Sequence, residues 1–62
     1  MNQLLVFDSF TGVQVHTLCC SPELHFSEVD WVKHIMDRYR SHGRYHFLVS
    51  PDLSNALRLR YP

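Results

Sequence analysis

Leu4, Leu5, Val6 and Phe7 form an unbroken apolar run that stops at Asp8 and Ser9, and a second run, Val13 to Leu18, begins after Thr11 and Gly12. Two extended runs separated by a glycine-containing turn predict an antiparallel hairpin. In the second run Val13, Val15 and Thr17 alternate with Gln14, His16 and Leu18, so the two sets point to opposite faces, and the β-branched set is expected to face the core. The first run is apolar on both faces, which places it centrally in a sheet or leaves one face for a partner.

Pro22 closes the second run, and the period then changes to that of a helix. Val29, Val32, Ile35, Met36 and Tyr39 fall on one stripe, widened by Trp31, while Asp30, Lys33, His34, Asp37 and Ser41 fall on the other side. Ser27 followed by Asp30 resembles a capping box, Glu28 and Asp30 suit the positive end of the helix dipole, Arg38 and Arg40 suit the negative end, and Gly43 supplies a stop. The spacing predicts a helix from about Ser27 to Arg40.

Tyr45, Phe47 and Val49 alternate with His46 and Leu48, which predicts a third strand ending at Ser50-Pro51-Asp52. Those three residues would also open a helix, with Ser50 as cap and Pro51 in the first turn. Against that, Leu57, Leu59 and Tyr61 alternate strictly with Arg58 and Arg60. The alternation favours a short helical turn over 52–55 followed by a fourth strand. The expected fold is a single small α+β domain over 1–62: an antiparallel sheet in ββαββ order, one face covered by a single amphipathic helix.

Sixty-two residues allow one core and no second domain. A chain this short buries only about 60% of its unfolded surface, so its stability margin is thin. Disulfides, metals or self-association often widen that margin. The cysteines, Cys19 and Cys20, are adjacent and would point to opposite faces of a strand, which disfavours a bridge between them. The first residues show neither a basic leader nor a long apolar run, so a cytoplasmic protein with no membrane partner is expected. A stand-alone chain of this size also fits a phage- or plasmid-borne factor acting on host machinery.

The net charge is zero, but its distribution is uneven. Up to Val32 the chain carries Asp8, Glu23, Glu28 and Asp30 with no Lys or Arg; beyond it, Lys33, Arg38, Arg40, Arg44, Arg58 and Arg60 face only Asp37 and Asp52. Either the halves attract each other, within the fold or across a dimer, or the second half offers a basic surface to an anionic partner.

Chemistry-bearing constellations are sparse. Cys19, Cys20, His25 and His16 are the residue types zinc takes, and His42 and His46 have one of its usual spacings, but no complete ligand pattern occurs, so neither a metal nor a cofactor is expected. Asp30 and His34 lie one helical turn apart and could orient an imidazole, yet no nucleophile elbow, phosphate loop or carboxylate pair accompanies them; no catalytic residue is assigned.

Arginine interleaves with aromatic residues at Arg38-Tyr39-Arg40, Arg44-Tyr45-His46-Phe47 and Arg58-Leu59-Arg60-Tyr61. That composition suits either a protein interface or a nucleic-acid surface. A four-stranded sheet with one helix leaves a face expected to include Gln14, His16, His46, Arg58 and Arg60. The predicted partner-binding residues are His16, Arg44, His46, Arg58, Arg60 and Tyr61. The expected function is a non-catalytic module that binds a larger protein as an adaptor or inhibitor; a small nucleic-acid-binding regulator is the second reading, and a homodimer is expected as well.

Overall fold

A computed structural model describes residues 2–62. The elements run β1 (Asn2–Asp8), β2 (Gln14–Cys20), α1 (Phe26–Arg40), β3 (Tyr45–Val49) and α2 (Pro51–Arg60). The fold is a small α+β arrangement: a three-stranded antiparallel sheet ordered β2-β1-β3, with two helices.

The continuous apolar run becomes the central strand. Leu4 and Val6 are fully buried on one face of β1, with Leu5 and Phe7 on the other. The hairpin closes over Asp8, whose carboxylate accepts the Phe10 and Thr11 N–H groups at 2.8 and 3.2 Å and pairs with Arg44 at 2.7 Å. Burial pushes the Asp8 pKa up, but those two N–H groups and the guanidinium outweigh it and hold the carboxyl below its ordinary value. Gly12, at φ +74°, takes the left-handed turn position that a side chain would disfavour.

β2 lies in the opposite phase to the one its β-branched residues suggest. His16, Leu18 and Cys20 are the half-buried members facing the helices, while Val13 and Val15 are 58% and 45% exposed. The cause is a register shift between Val6 and Phe7: Val6 opposes His16, Phe7 opposes Gln14, and Val15 is the extra residue. A one-residue insertion reverses which side chains face inward.

α1 begins one residue before the expected Ser27, and its start differs in kind. His25 occupies the cap position without a side-chain bond, and Ser27 lies inside the first turn. Glu28 reaches back instead to Ser21, accepting from its backbone N–H at 2.8 Å and from its hydroxyl. Those bonds, the hydroxyl's first, lower the Glu28 pKa. Val29, Val32, Ile35 and Met36 are buried as the helical spacing requires, and Gly43 at φ +70° follows the last turn.

The expected fourth strand is a helix. Leu53 is fully buried and Leu57 packs against the same core, a four-residue spacing that puts both on one helical face. Pro51 sits in the first turn with Asp52, Arg58 and Arg60 sit in the last, and Leu59, part of the strand-like alternation, is 85% exposed. Ser50 accepts from the Gln3 N–H at 3.0 Å through its hydroxyl, and its own N–H donates to the Gln3 carbonyl at 3.1 Å, so α2 is pinned to the sheet where β3 ends. Leu4, Val6, Val32, Ile35, Met36 and Leu53 form one core cluster between the sheet and both helices. Hence two helices, not one, cover this face.

Candidate functional site

The other face of the sheet carries no helix. Its rows follow from the register: Thr17, Leu5 and Leu48 lie side by side across the three strands, then Gln14, Phe7 and His46, with Cys19 beside Gln3 at the far end. None of these side chains is an acid, Lys or Arg. Leu48, within the edge strand β3, is 60% exposed. The Phe7 and His46 rings stack with centroids 5.3 Å apart and planes at 14°, and His46 Nδ1 lies 3.3 Å from the Ser9 hydroxyl. Gln14 donates its side-chain amide to the Thr17 hydroxyl. At the hairpin end Phe10 is exposed under the Arg44 guanidinium, 5.0 Å from its ring centre.

Strand spacing and rise give this whole face, its polar Gln3, Gln14, Thr17 and His46 included, a footprint of about 300 Å².

Of the predicted partner-binding residues, only His46 lies on this face. His16 is on the helix-covered side, where its Nδ1 lies 3.0 Å from the Tyr39 hydroxyl and its ring meets that of Tyr39 edge-on. Tyr39 in turn packs edge-on against Tyr45, and Tyr45 against His42, bordering a groove lined by His16, Ile35, Arg38, Tyr39 and His42. Arg44 is held by Asp8 at the sheet rim.

Arg58, Arg60 and Tyr61 belong to α2 and its end, remote from the open face. Arg60 donates to both carboxylate oxygens of Asp30, at 2.7 and 3.0 Å, and lies over the Phe26 ring, 4.6 Å from its centre. Tyr61 donates its hydroxyl to the same carboxylate. The Arg60 bonds first, then that of Tyr61, lower the Asp30 pKa to about 2. Asp30 is therefore engaged with α2 and does not orient His34, which stacks on Trp31 instead.

A second apolar surface accompanies that tie: Leu24, Phe26, Val29, Ala56, Leu59 and Arg60 line a groove between the helices, with Phe26 70% exposed. Its rim carries the Arg60–Asp30 pair, whereas the sheet face carries no charge.

Cys19 and Cys20 are free thiols; Cys19 is exposed, and Cys20 packs against the core, where burial, the largest influence, raises its pKa. His42 and His46 meet different neighbours on opposite sides of the sheet, Tyr45 and Phe7 respectively. Among the described residues no group of three or more His, Cys, Asp or Glu side chains is placed to hold a metal ion, and no helix is long and apolar enough to cross a membrane.

Leu5, Phe7 and Leu48 were not among the predicted partner-binding residues. The first run, apolar at every position, allowed a face left for a partner, but nothing in the pattern states which side the helices take, so no residue of it was singled out. No known protein family, curated protein or solved structure matches the chain.

Proposed function

We propose that this protein is a non-catalytic protein-binding module, an adaptor or inhibitor, whose open sheet face receives an apolar surface of a larger partner. The observation that carries the reading is the uncharged set Leu5, Phe7 and Leu48 on the face opposite both helices, with Leu48 60% exposed within β3. An antiparallel sheet with one solvated face normally alternates apolar inside with polar outside. Here β1 is apolar on both sides, so its outward residues add nothing to the internal core and are available to a second molecule.

Two further observations favour a protein partner over nucleic acid. Arg44 and Arg60 are committed to Asp8 and Asp30, and Lys33 and Arg40 both approach Asp37. A phosphate would have to compete with a carboxylate at each of these sites, which weakens the electrostatic term that dominates nucleic-acid affinity.

A pull-down from nuclease-treated lysate tests the reading with three forms of the chain. Wild type and Arg58→Glu are expected to retain the same discrete partner, and Leu48→Asp to lose it while keeping its circular dichroism spectrum. Retention by Leu48→Asp, or loss of all bound material on nuclease treatment, overturns the proposal.

A further inference from the structure

The sheet has two free edges of different character. β3 is five residues long, begins beside Arg44 and is followed, after Ser50, by Pro51; Arg40 lies over its Phe47 ring, 5.6 Å from the centre, and Arg58 lines a groove with its Val49. A second copy brought to that edge would meet like charges. β2 is seven residues, Gln-Val-His-Thr-Leu-Cys-Cys, with no acid, Lys, Arg, Pro or Gly. Natural edges are commonly blunted by Lys, Pro or brevity, and of the usual devices β2 carries only the bulge at Val15.

The outward-pointing backbone groups of β2 can be identified. Ser50 N–H bonds the Gln3 carbonyl and Ser9 N–H the Arg44 carbonyl, so the odd-numbered residues of β1 bond towards β3; Asp8 N–H bonds the Val13 carbonyl, so the even-numbered ones bond towards β2. Asn2, Leu4 and Val6 therefore occupy the hydrogen-bonded pairs with Cys20, Leu18 and His16. By the alternation of an antiparallel ladder, Thr17 and Cys19 turn their N–H and C=O groups away from the sheet.

We infer that β2 pairs antiparallel with the β2 of a second copy, about a two-fold axis through Leu18, to give one six-stranded sheet. This register uses the regular stretch from His16 to Cys20 and avoids the bulge. Thr17 of each copy exchanges hydrogen bonds with Cys19 of the other, and Leu18 opposes its own counterpart. No charged residue of the strand faces another, as a self-complementary interface requires.

The flanking helix fits the same axis. Glu28 bonds Ser21 and Tyr39 contacts His16, so α1 runs antiparallel to β2. Helical rise over the intervening eleven residues and strand rise over five both come to about 16 Å. The axis through Leu18 then sets Trp31 of one copy level with Arg38 of the other. Trp31 is 52% exposed and on the same side of α1 as Arg38, whose guanidinium has no partner among the described residues. An indole and a guanidinium are a favourable pair. The open apolar faces of the two copies would join into a single continuous surface.

Sedimentation equilibrium of the full chain tests this. Wild type is expected at twice the 7.4 kDa chain mass. Thr17→Pro removes an outward N–H while sparing the β1 ladder, so it is expected to stay folded by circular dichroism and weaken the dimer at least tenfold. Should the proline unfold the chain, the Thr17→Lys, Cys19→Lys double variant decides by the same criterion. Leu48→Asp, on the open face and away from β2, is expected to remain dimeric. A monomeric wild type at millimolar concentration, a folded edge variant that dimerises normally, or a monomeric Leu48→Asp overturns the inference.

Discussion

Leu4 and Leu5 are neighbours in the same central strand and meet opposite surroundings. Leu4 is fully buried beneath the helices, while Leu5 lies on the naked face between Thr17 and Leu48. The same contrast runs along β3, where Phe47 and Val49 pack against the core and Leu48 does not. Both faces carry large apolar side chains, but only one is packed against helices; on the other they are interspersed with Gln3, Gln14, Thr17 and His46. Hydrophobicity alone does not distinguish a core from an interface; the position of the covering helices does.

Substitution separates the faces most sharply. Leu53→Ala empties a fully buried position and is expected to cost about 2–5 kcal/mol, enough in a domain of this size to depress its urea midpoint severely. Leu48→Ala is expected to stay within about 0.5 kcal/mol of wild type. Comparable losses in both variants would mean that the exposed face is also core.

A smaller effect is expected where the covered face is fastened. Ser50→Ala removes the hydroxyl that meets the Gln3 backbone and should lower unfolding stability by about 1 kcal/mol in the same urea titration. No change would mean that the Ser50 hydroxyl does not help to fasten α2 to the sheet.

Acid should loosen the tie between the two helices. The Asp30 pKa is depressed to about 2 in the fold against an ordinary 3.8, so its ties to Arg60 and Tyr61 contribute fully above about pH 4 and are lost as the pH falls towards 2. Thermal melts across that window should show less pH dependence in Asp30→Asn than in wild type. An identical dependence would mean that Asp30 is not the titrating tie between α1 and α2.

Much of the fold is legible in the chain. The apolar run of β1 specifies a central strand, the 29-32-35-36 stripe specifies α1, and the Tyr45/Phe47/Val49 alternation specifies β3, because in each the period and the burial agree. The tail misled because Leu57, Leu59 and Tyr61 are spaced two apart while the residue that decides the matter is Leu53, one helical turn before Leu57. A strand period in a short tail is weaker information than a Ser-Pro-Asp helix start followed by an i, i+4 leucine pair. β2 misled for a different reason: one extra residue at Val15 inverts its phase, and no composition signal marks it.

The charge asymmetry was informative in its plainer sense. Asp8 and Asp30 of the acidic half pair with Arg44 and Arg60 of the basic half, so two of the proposed anchors serve the fold itself. The candidate site was the least legible part, because picking out Leu5, Phe7 and Leu48 requires knowing that both helices lie on one side.

Leu48 and Leu59 offer the most direct comparison, being exposed leucines on the sheet face and on α2 respectively. A photo-crosslinking side chain placed at each position in turn, in cells producing the protein, reads which surface a partner occupies. Position 48 is expected to give a discrete adduct with a larger protein that persists after nuclease treatment, and position 59 none of comparable yield. Adducts at 59 alone, or none at 48, would contradict docking through the open face.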